Sequence, residues 1–409
     1  MEKIKIRIYI YFFAFSLMGC AGNKKNISEI ITNPRVQIID ISKAEKVNKI
    51  LLSQLFSRVN TIILETNANI LLGKINGMQI YKDWIFVLDR DHNVGVYAFD
   101  KKGAFIQKYG KRGIGPGEYL SISDFTIDTE NNTIYLMDSE ANQILRYNIS
   151  TGEYINKIML ENKTIRCFHI QYNNEKLYTD IEYVNAFETG CMVQEIDLST
   201  GKQKQCWLDS HQYNKGWNGP LQRENESFFY SRNKEAFKYI HFFMDTIVSF
   251  QKNQIEPAVV LKEKDWISAK EVSQIMKERT ENKGVISFQS LFGKEIAFNI
   301  NNYMEWNDFI SFQYQKKDDS FFILHNIKTG NTQITSLLID DLVYNKPKIV
   351  NGFSCSDSSG LYGIVNTDEL TRFIEQSQEK DFLNSDLDKN EILKNLPADS
   401  NPIIFYYEF

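Results

Sequence analysis

Two stretches of the chain, WIFVLDRDHN at residues 84–93 and TIYLMDSEAN at residues 133–142, decide the fold. They align without a gap at an offset of 49 residues, and the alignment continues to Gly103 and Gly152. Each copy predicts an apolar strand, an Asp-x-x-x-Asn connection, a second apolar strand and a polar turn. The glycine that ends this turn supplies the positive φ of a tight hairpin. A fixed period of this length indicates a repeat architecture.

The same unit recurs further along the chain with growing irregularity. The third copy ends at Gly201, again 49 residues after Gly152, and looser copies follow at residues 245–253, 326–330 and 360–409. A single four-stranded sheet has two apolar faces and cannot bury both alone, whereas blades around an axis bury each face against a neighbour. The sequence therefore predicts an all-β fold, a six-bladed β-propeller of four-stranded antiparallel blades.

Ring closure and inserts follow from the segments outside the repeat. The sixth unit is one strand short, and a spare apolar strand at residues 59–64 is expected to complete it as a clasp that limits the exposed edge. A seven-bladed ring is the alternative. Against it, helical patterns at residues 267–284 and 367–396 explain the longer spacing of the later units. Ser268 and Glu271 form a capping-box pattern at the start of the first helix.

The N-terminus carries a targeting pattern. Residues 1–19 combine three basic residues with an apolar run too short to span a bilayer. The run ends in Leu-Met-Gly before Cys20, which predicts lipidation of that cysteine; a plain secretory signal with an incidental cysteine is the alternative. Residues 20–35 then form a lipid-anchored tether, and residues 36–409 form the propeller. The expected location is the outer membrane, with its face left open.

Composition excludes several classes of function. With 47 Lys and Arg against 52 Asp and Glu, the net charge is −5, which argues against nucleic acid as a partner. No phosphate-loop, EF-hand or C-x-x-C pattern is complete, so no cofactor and no metal are predicted. The remaining cysteines are too sparse for a disulfide scaffold and are expected to be free, mostly buried thiols: Cys167, Cys191, Cys206 and Cys355.

At this point the chain resembles the six-bladed β-propeller lipoproteins of the Bacteroidota, whose blades are similar to NHL repeats. The resemblance rests on the Leu-Met-Gly-Cys20 motif, the glycine-rich residues 110–119, the Met-Asp-Thr-Ile segment at 244–247 and the Asn-Pro-Ile-Ile strand at 401–404. It covers nearly all of the mature chain. It implies a propeller fold and an envelope location, and little chemistry.

Candidate site residues come from the loops and strand starts that should meet at the axis. Arg112 lies in the glycine-rich connection between blades, and Asp124 and Arg166 each open a blade. Trp217 lies in a long aromatic and amide-rich loop and is expected to stack on a ligand. Among the five histidines, His169 is the best candidate for an axial position, because it falls on a predicted inner strand.

These residues favour a non-enzymatic binding or scaffolding module that takes a glycan or a peptide. The competing class is a polysaccharide-active enzyme, a lyase or glycosidase, with its site in the axial funnel. A third class is a module that binds another envelope protein. A cluster of carboxylates, histidines or arginines at one mouth of an open funnel would favour the enzyme.

Overall fold

The computed structural model describes residues 36–67, 70–161, 166–181, 190–217, 227–230, 236–251, 254–281, 291–343, 348–349, 352–366, 369, 396–397 and 400–409. Six antiparallel sheets surround a common axis there, which confirms the six-bladed propeller over the seven-bladed alternative. The predicted signal peptide, Cys20 and the tether lie outside the described residues, as does nearly all of the segment 367–396. No helix within the described ranges is long and apolar enough to cross a bilayer.

The chain enters the ring through residues 37–63, which we call the strap. The strap contains two single-turn 3-10 helices, Ile41–Lys43 and Leu52–Gln54. Its four strands are β1 (Gln37–Asp40), β2 (Glu45–Lys46), β3 (Ile50–Leu51) and β4 (Arg58–Ile63).

Blades 1 to 3 follow the repeat closely, and each is a four-stranded meander whose first strand is innermost. Blade 1 has β5 (Gly77–Tyr81), β6 (Trp84–Asp89), β7 (Gly95–Asp100) and β8 (Phe105–Tyr109), and a two-stranded connection, β9 (Lys111–Arg112) with β10 (Glu118–Tyr119), leads onward. Blade 2 has β11 (Asp124–Asp128), β12 (Thr133–Asp138), β13 (Gln143–Asn148) and β14 (Tyr154–Met159). Blade 3 has β15 (Ile170–Asn173), β16 (Lys176–Asp180), β17 (Cys191–Ile196) and β18 (Gln203–Asp209).

Blades 4 to 6 carry the helices and the more irregular strands. After α1 (Ser210–Tyr213), blade 4 has β19 (Phe228–Tyr230), β20 (Phe237–Tyr239), β21 (Thr246–Gln251) and β22 (Gln254–Lys262). After α2 (Ala269–Glu281), blade 5 has β23 (Ala297–Trp306), β24 (Phe309–Lys316), β25 (Asp319–Asn326) and β26 (Thr332–Thr335). The strands β27 (Leu338–Asp340) and β28 (Lys348–Ile349) precede blade 6, which has β29 (Cys355–Ser356), β30 (Gly360–Val365) and β31 (Ile403–Glu408).

The strap closes the ring and also runs along the outside of the later blades. Strand β4 pairs antiparallel with β31, so the predicted clasp is confirmed, and Arg58 and Asn60 both bond the Glu408 carboxylate across it. Before that, β1 adds to β22 of blade 4 and β2 adds to β26 of blade 5, both in parallel. Strand β3 then pairs with β27. The strap therefore covers the outer edges of blades 4 and 5 and supplies the outer strand of blade 6.

The hydrophobic core consists of apolar layers between neighbouring blades. Phe86 and Phe125 belong to the layer between blades 1 and 2, and Met137 and Leu177 to the layer between blades 2 and 3. Further layers join blades 3, 4 and 5, blades 5 and 6, and blades 6 and 1. Because each blade has an apolar layer on both faces, removing one blade face from contact exposes core on its neighbour as well.

The repeated turn glycines have a packing reason beyond their positive φ. Gly103 and Gly201 have φ of 89° and 71°, and each lies against the outer strand of the preceding blade. A Cβ atom would collide with the Ile63 carbonyl at the first position and with the Met159 carbonyl at the second. The 49-residue glycine period therefore records how each hairpin turn docks on the blade before it.

The first helical insert is confirmed, and it follows its capping signal. The Ser268 hydroxyl accepts a hydrogen bond from the Glu271 amide at 3.2 Å, and the Glu271 carboxylate accepts from the Ser268 amide at 2.7 Å. The helix α2 buries Val272 and Ile275 in an apolar cluster with Phe242, Phe243 and Phe298 of blades 4 and 5.

The structure corrects the thiol prediction at two positions. Cys191 on β17 and Cys206 on β18 are joined by a disulfide, with Cα atoms 5.8 Å apart, within the span that disulfides bridge. The ladder places Cys191 opposite Asp209 and Cys206 opposite Gln194, so a bridge between these two cysteines could not be predicted from strand register. Cys167 and Cys355 carry thiols, the first buried and the second half-buried.

Candidate functional site

The axis of the ring holds a cavity of about 140 Å³ to which all six blades contribute. Each blade has four antiparallel strands, so every innermost strand runs in the same direction, and the first residues of these strands meet at one mouth. Asn76, Asp124 and His169 lie at or just before the starts of β5, β11 and β15 and line the cavity at this mouth. Tyr81 and Thr129 line it at the other end.

Hydrogen bonds across blades 1, 2 and 3 fix this mouth. The Arg90 guanidinium donates to the Ser123 carbonyl at 3.4 Å, and the Ser123 hydroxyl donates to the Phe168 carbonyl at 2.7 Å. The Asp124 carboxylate accepts from the Ile170 amide at 2.9 Å. Three blades are thus held in register where their polar side chains converge. We call Arg90, Asp124, His169 and Asp180 the polar mouth.

An aspartate at the end of the second strand supports the mouth in each of these blades. The Asp89 carboxylate accepts from four backbone amides, among them that of Gly73 at 2.8 Å. The Asp138 carboxylate accepts from the Leu120 amide at 2.9 Å. Both carboxylates tie the segment entering the blade to the end of its second strand. The Asp89 segment, which resembles the start of a calcium loop, is explained by these internal bonds.

In blade 3 the same aspartate also holds a histidine. The Asp180 carboxylate accepts from the Phe168 amide at 2.9 Å and the His169 amide at 2.8 Å, and its second oxygen lies 2.5 Å from His169 Nδ1. Burial acts to lower the pKa of His169, but the Asp180 carboxylate outweighs it and raises that pKa above its ordinary value. The same pairing lowers the pKa of Asp180 against the effect of its burial. The pair therefore favours imidazolium beside carboxylate.

Three buried polar atoms near this pair have no hydrogen-bond partner among the described residues. They are His169 Nε2, the Tyr239 hydroxyl and His241 Nδ1. The rings of Tyr239 and His241 stack with centroids 6.4 Å apart, and both side chains feel the charge of Asp180. Burial lowers the pKa of His241 to about 4, so its imidazole is neutral. Buried polar atoms in native proteins are nearly always paired, with ordered water where no protein group is within reach.

Asp124 is the acidic group of the mouth that lines the cavity. Burial raises the pKa of its carboxyl, and the charges of His169 and Arg90 partly counteract this effect. When all four groups of the polar mouth are ionised, two cations face two carboxylates. The mouth is then neutral overall but strongly polar.

The structure places the four predicted site residues differently. Asp124 lines the cavity. Arg112 on β9 and Arg166 before β15 are exposed and are not part of its lining. The placement of Trp217 is corrected: it is fully buried, packs edge-to-face on Phe243 with centroids 5.1 Å apart, and belongs to the apolar cluster under α2. The indole of Trp217 packs α2 onto the propeller, so Trp217 is not part of the site.

Two members of the polar mouth escaped the sequence prediction. A signal for Asp180 exists, because LYTD at 177–180 matches FVLD at 86–89 and YLMD at 135–138. Arg90 directly follows the first of these aspartates. The glycine-rich residues 110–119 form the expected connection between blades, with Glu118 accepting from the Gly115 amide at 2.8 Å and pairing with Lys111. Within the described ranges, no three His, Cys, Asp or Glu side chains are arranged to hold a metal ion.

Fold and site together define a class: a six-bladed β-propeller with a polar-mouthed axial cavity. The chain belongs to the family described as domain of unknown function DUF4934, whose profile matches residues 36–408. No curated protein sequence matches it. Among solved structures it is similar to an exported protein of Bacteroides fragilis, with 19% identity, a TM-score of 0.67 and coverage of 91% of this chain and 98% of the other. It is also similar to a DUF4221 family member of Bacteroides vulgatus, with 10% identity, a TM-score of 0.50 and coverage of 86% and 96%. At these identities the likeness shows the fold alone.

Proposed function

We propose that this protein is a binding module of the cell envelope that captures a small polar ligand, from a glycan or a peptide, in its axial cavity. The observation that carries the proposal is the convergence of all six innermost strands on one cavity whose mouth is lined by Arg90, Asp124 and His169. A rigid ring that presents polar groups at its axis suits recognition, because the groups are ordered before the ligand arrives.

Attachment through a lipid on Cys20 is part of this proposal. It is supported by the apolar run that ends in Leu-Met-Gly-Cys20, by the exported relative and by the Cys191–Cys206 disulfide. Disulfides persist in oxidising compartments outside the cytoplasm. Cys20→Ala should move the protein from the membrane fraction to the soluble fraction and remove the mass of the acyl groups. A variant that stays in the membrane with unchanged mass would refute the anchor.

Ligand capture is tested by thermal shift and calorimetry with the purified chain against panels of sugars and short peptides. The informative variant is Asp124→Asn, which keeps the shape of the side chain and an oxygen for the Ile170 amide. The matched control is Asp128→Asn at the far end of the same strand, where the carboxylate accepts from the Glu130 and Asn131 amides. Binding that is weakened by the first change and unaffected by the second supports the axial site. An affinity that is unaffected by both changes would mean that the ligand binds outside the axial cavity.

A polysaccharide-active enzyme is the second candidate, and one observation favours it. The His169–Asp180 pair resembles the way a carboxylate orients a catalytic imidazole. The His169 Nε2 atom is buried, however, and a cavity of about 140 Å³ leaves little room for a polymer chain. Product formation from a polysaccharide panel, abolished by His169→Gln, would favour the enzyme over the binding module.

A further inference from the structure

The cavity has the size of a single six-membered ring. At about 140 Å³ it is close to the roughly 150 Å³ of an apolar protein cavity that takes up one benzene molecule. A peptide segment of several residues or a nucleotide exceeds this volume. A ligand that enters the axis therefore does so as one small ring or as the terminal unit of a longer molecule.

The two sides of the cavity differ in chemistry. Blades 1 to 3 supply the charged groups of its described lining, at Arg90, Asp124 and His169. Blade 4 supplies the half-buried ring of Phe228, whereas Phe229 and Tyr303 line the cavity with their side chains buried in the core. A ligand that satisfies both sides needs hydrogen-bonding groups along one edge and an apolar face opposite them. Aromatic side chains provide a flat apolar surface for such a face.

The charge balance of the polar mouth disfavours an ionic ligand. Arg90 and His169 are balanced by Asp124 and Asp180, and the Asp180 carboxylate lies 2.5 Å from His169 Nδ1. A ligand with a net charge would meet one attractive and one repulsive pair within the same small space. A neutral ligand rich in hydroxyl groups carries no net charge, so neither pair of charges repels it.

The Asp124 carboxylate fits the same chemistry. It lines the cavity, whereas the Nε2 atom of His169 is buried beneath the lining and its Nδ1 atom is held by Asp180. A hydroxyl group both donates and accepts a hydrogen bond. It can therefore donate to the Asp124 carboxylate without bringing a charge into the cavity.

We infer that the axial cavity recognises one uncharged sugar ring, with its hydroxyl groups on the side of Arg90 and Asp124 and an apolar face on the side of Phe228. This inference rests on the proposed axial binding function and narrows it to a ligand class. The sugar is a free monosaccharide or the terminal residue of a glycan.

The test is calorimetric titration of the purified chain with methyl glycosides of glucose, galactose, mannose and N-acetylglucosamine. Glucuronic acid and glucosamine serve as charged counterparts of the same ring size. We expect at least one neutral glycoside to bind at concentrations up to about 10 mM, and its charged counterpart to bind about tenfold more weakly or worse. Asp124→Asn should weaken the neutral glycoside about tenfold, and Asp128→Asn should leave its affinity unchanged.

The outcomes separate this inference from the proposed function. If no neutral glycoside binds, or if a charged counterpart binds as tightly, the inference is wrong. If short peptides bind instead and their affinity falls in Asp124→Asn alone, axial binding stands and the sugar assignment fails. If a glycoside binds equally to Asp124→Asn and to the unmodified chain, the sugar lies outside the axial cavity and the inference fails.

Discussion

Blades 1 to 3 and blades 4 to 6 solve the problem of exposed sheet edges in different ways. The outer strands β14 and β18 of blades 2 and 3 face solvent with largely exposed side chains, including Lys157 and Lys204, and charged residues discourage edge-to-edge pairing. The outer strands of blades 4 and 5 are instead covered by β1 and β2 of the strap. One half of the ring is therefore held together by local repetition, and the other half by a segment that is distant in sequence.

The same division runs through the site. The polar mouth is built from the regular half, where bonds between blades fix Arg90 and Asp124, and Asp180 of the same blade fixes His169. The half of the ring that the strap covers contributes the half-buried ring of Phe228 to the cavity lining. The regular hairpin geometry of the repeat is therefore found in the blades that carry the polar mouth. The irregular blades depend on the strap for their outer edges.

Removing the strap should have the largest effect of any change considered. Deletion of residues 1–63 leaves β31 without its partner β4 and uncovers the edges of blades 4 and 5. We expect loss of the cooperative melting transition, because the lost contacts exceed the roughly 5–15 kcal/mol that stabilises a typical folded chain. Thermal unfolding and soluble yield measure this. Deletion of residues 1–35 alone, which spares the strap, is the control. A truncation at residue 63 that melts like the control would show that the strap does not close the ring.

Substituting turn glycines should destabilise the two halves of the ring to different extents, and by less than deletion of the strap. Gly201→Ala forces a Cβ atom into the Met159 carbonyl of blade 2 at a φ of 71°, and we expect a loss of about 3 kcal/mol. Gly330→Ala in blade 5 has a similar φ of 74° but no atom within 4 Å of the added Cβ, so it should cost about 1 kcal/mol. Chemical denaturation of both variants gives the comparison. Equal losses would mean that turn docking contributes nothing to the regular half.

Acid should lower the stability of the folded ring through protonation of His241. Its folded pKa of about 4 lies below the ordinary value, so the unfolded chain binds a proton between about pH 6.5 and 4 that the folded chain resists. Stability therefore falls as the pH drops through this window, by about 2 kcal/mol at pH 5. His169, whose pKa is raised, has the opposite sign and loses its contribution only as the pH rises through its folded value.

The measurement is the change in unfolding free energy between pH 7.5 and pH 5. His241→Gln should lose less stability over this range than the unmodified chain, by about 2 kcal/mol. His92→Gln, at an exposed position in blade 1, should follow the unmodified chain. If His241→Gln and the unmodified chain lose equal stability, the histidine is not buried in its neutral form.

The smallest expected change in unfolding free energy comes from removing one tyrosine hydroxyl group in each half of the ring. Tyr239→Phe removes a buried hydroxyl with no partner among the described residues, so the unfolding free energy should stay the same or rise. Tyr109→Phe in blade 1 removes a hydroxyl that donates to the Ile149 carbonyl at 2.8 Å, and should cost about 1 kcal/mol. Denaturant melts of both variants decide the matter. A loss for Tyr239→Phe as large as that for Tyr109→Phe would show that its hydroxyl is bonded in solution.

The sequence was informative where the fold depends on local repetition. The copies at residues 84–93 and 133–142 specify adjacent antiparallel strands, and the spare strand at residues 59–64 could be assigned because a ring must close. The rest of the strap was not predicted, because residues 37–51 share no pattern with the repeat and pair with strands about 220 to 290 residues away.

The site was predicted only in part, for a similar reason. Asp124 and His169 were named because both fall at the start of an inner strand. Asp180 reaches His169 through the antiparallel pairing of β15 with β16, and its role as a partner needs that register. Trp217 was misplaced because an aromatic residue in a loop has the same sequence signal whether it faces a ligand or packs under a helix such as α2.

The most direct test of the central claim, that the axial cavity is the ligand site, is a crystallographic fragment screen. Crystals of the chain are soaked with small neutral and charged polar compounds, and the positions of bound molecules are compared. We expect polar fragments to collect in the axial cavity within hydrogen-bond distance of Asp124 or His169. Fragments that leave the cavity empty and collect instead at the blade edges or under α2 would contradict the claim.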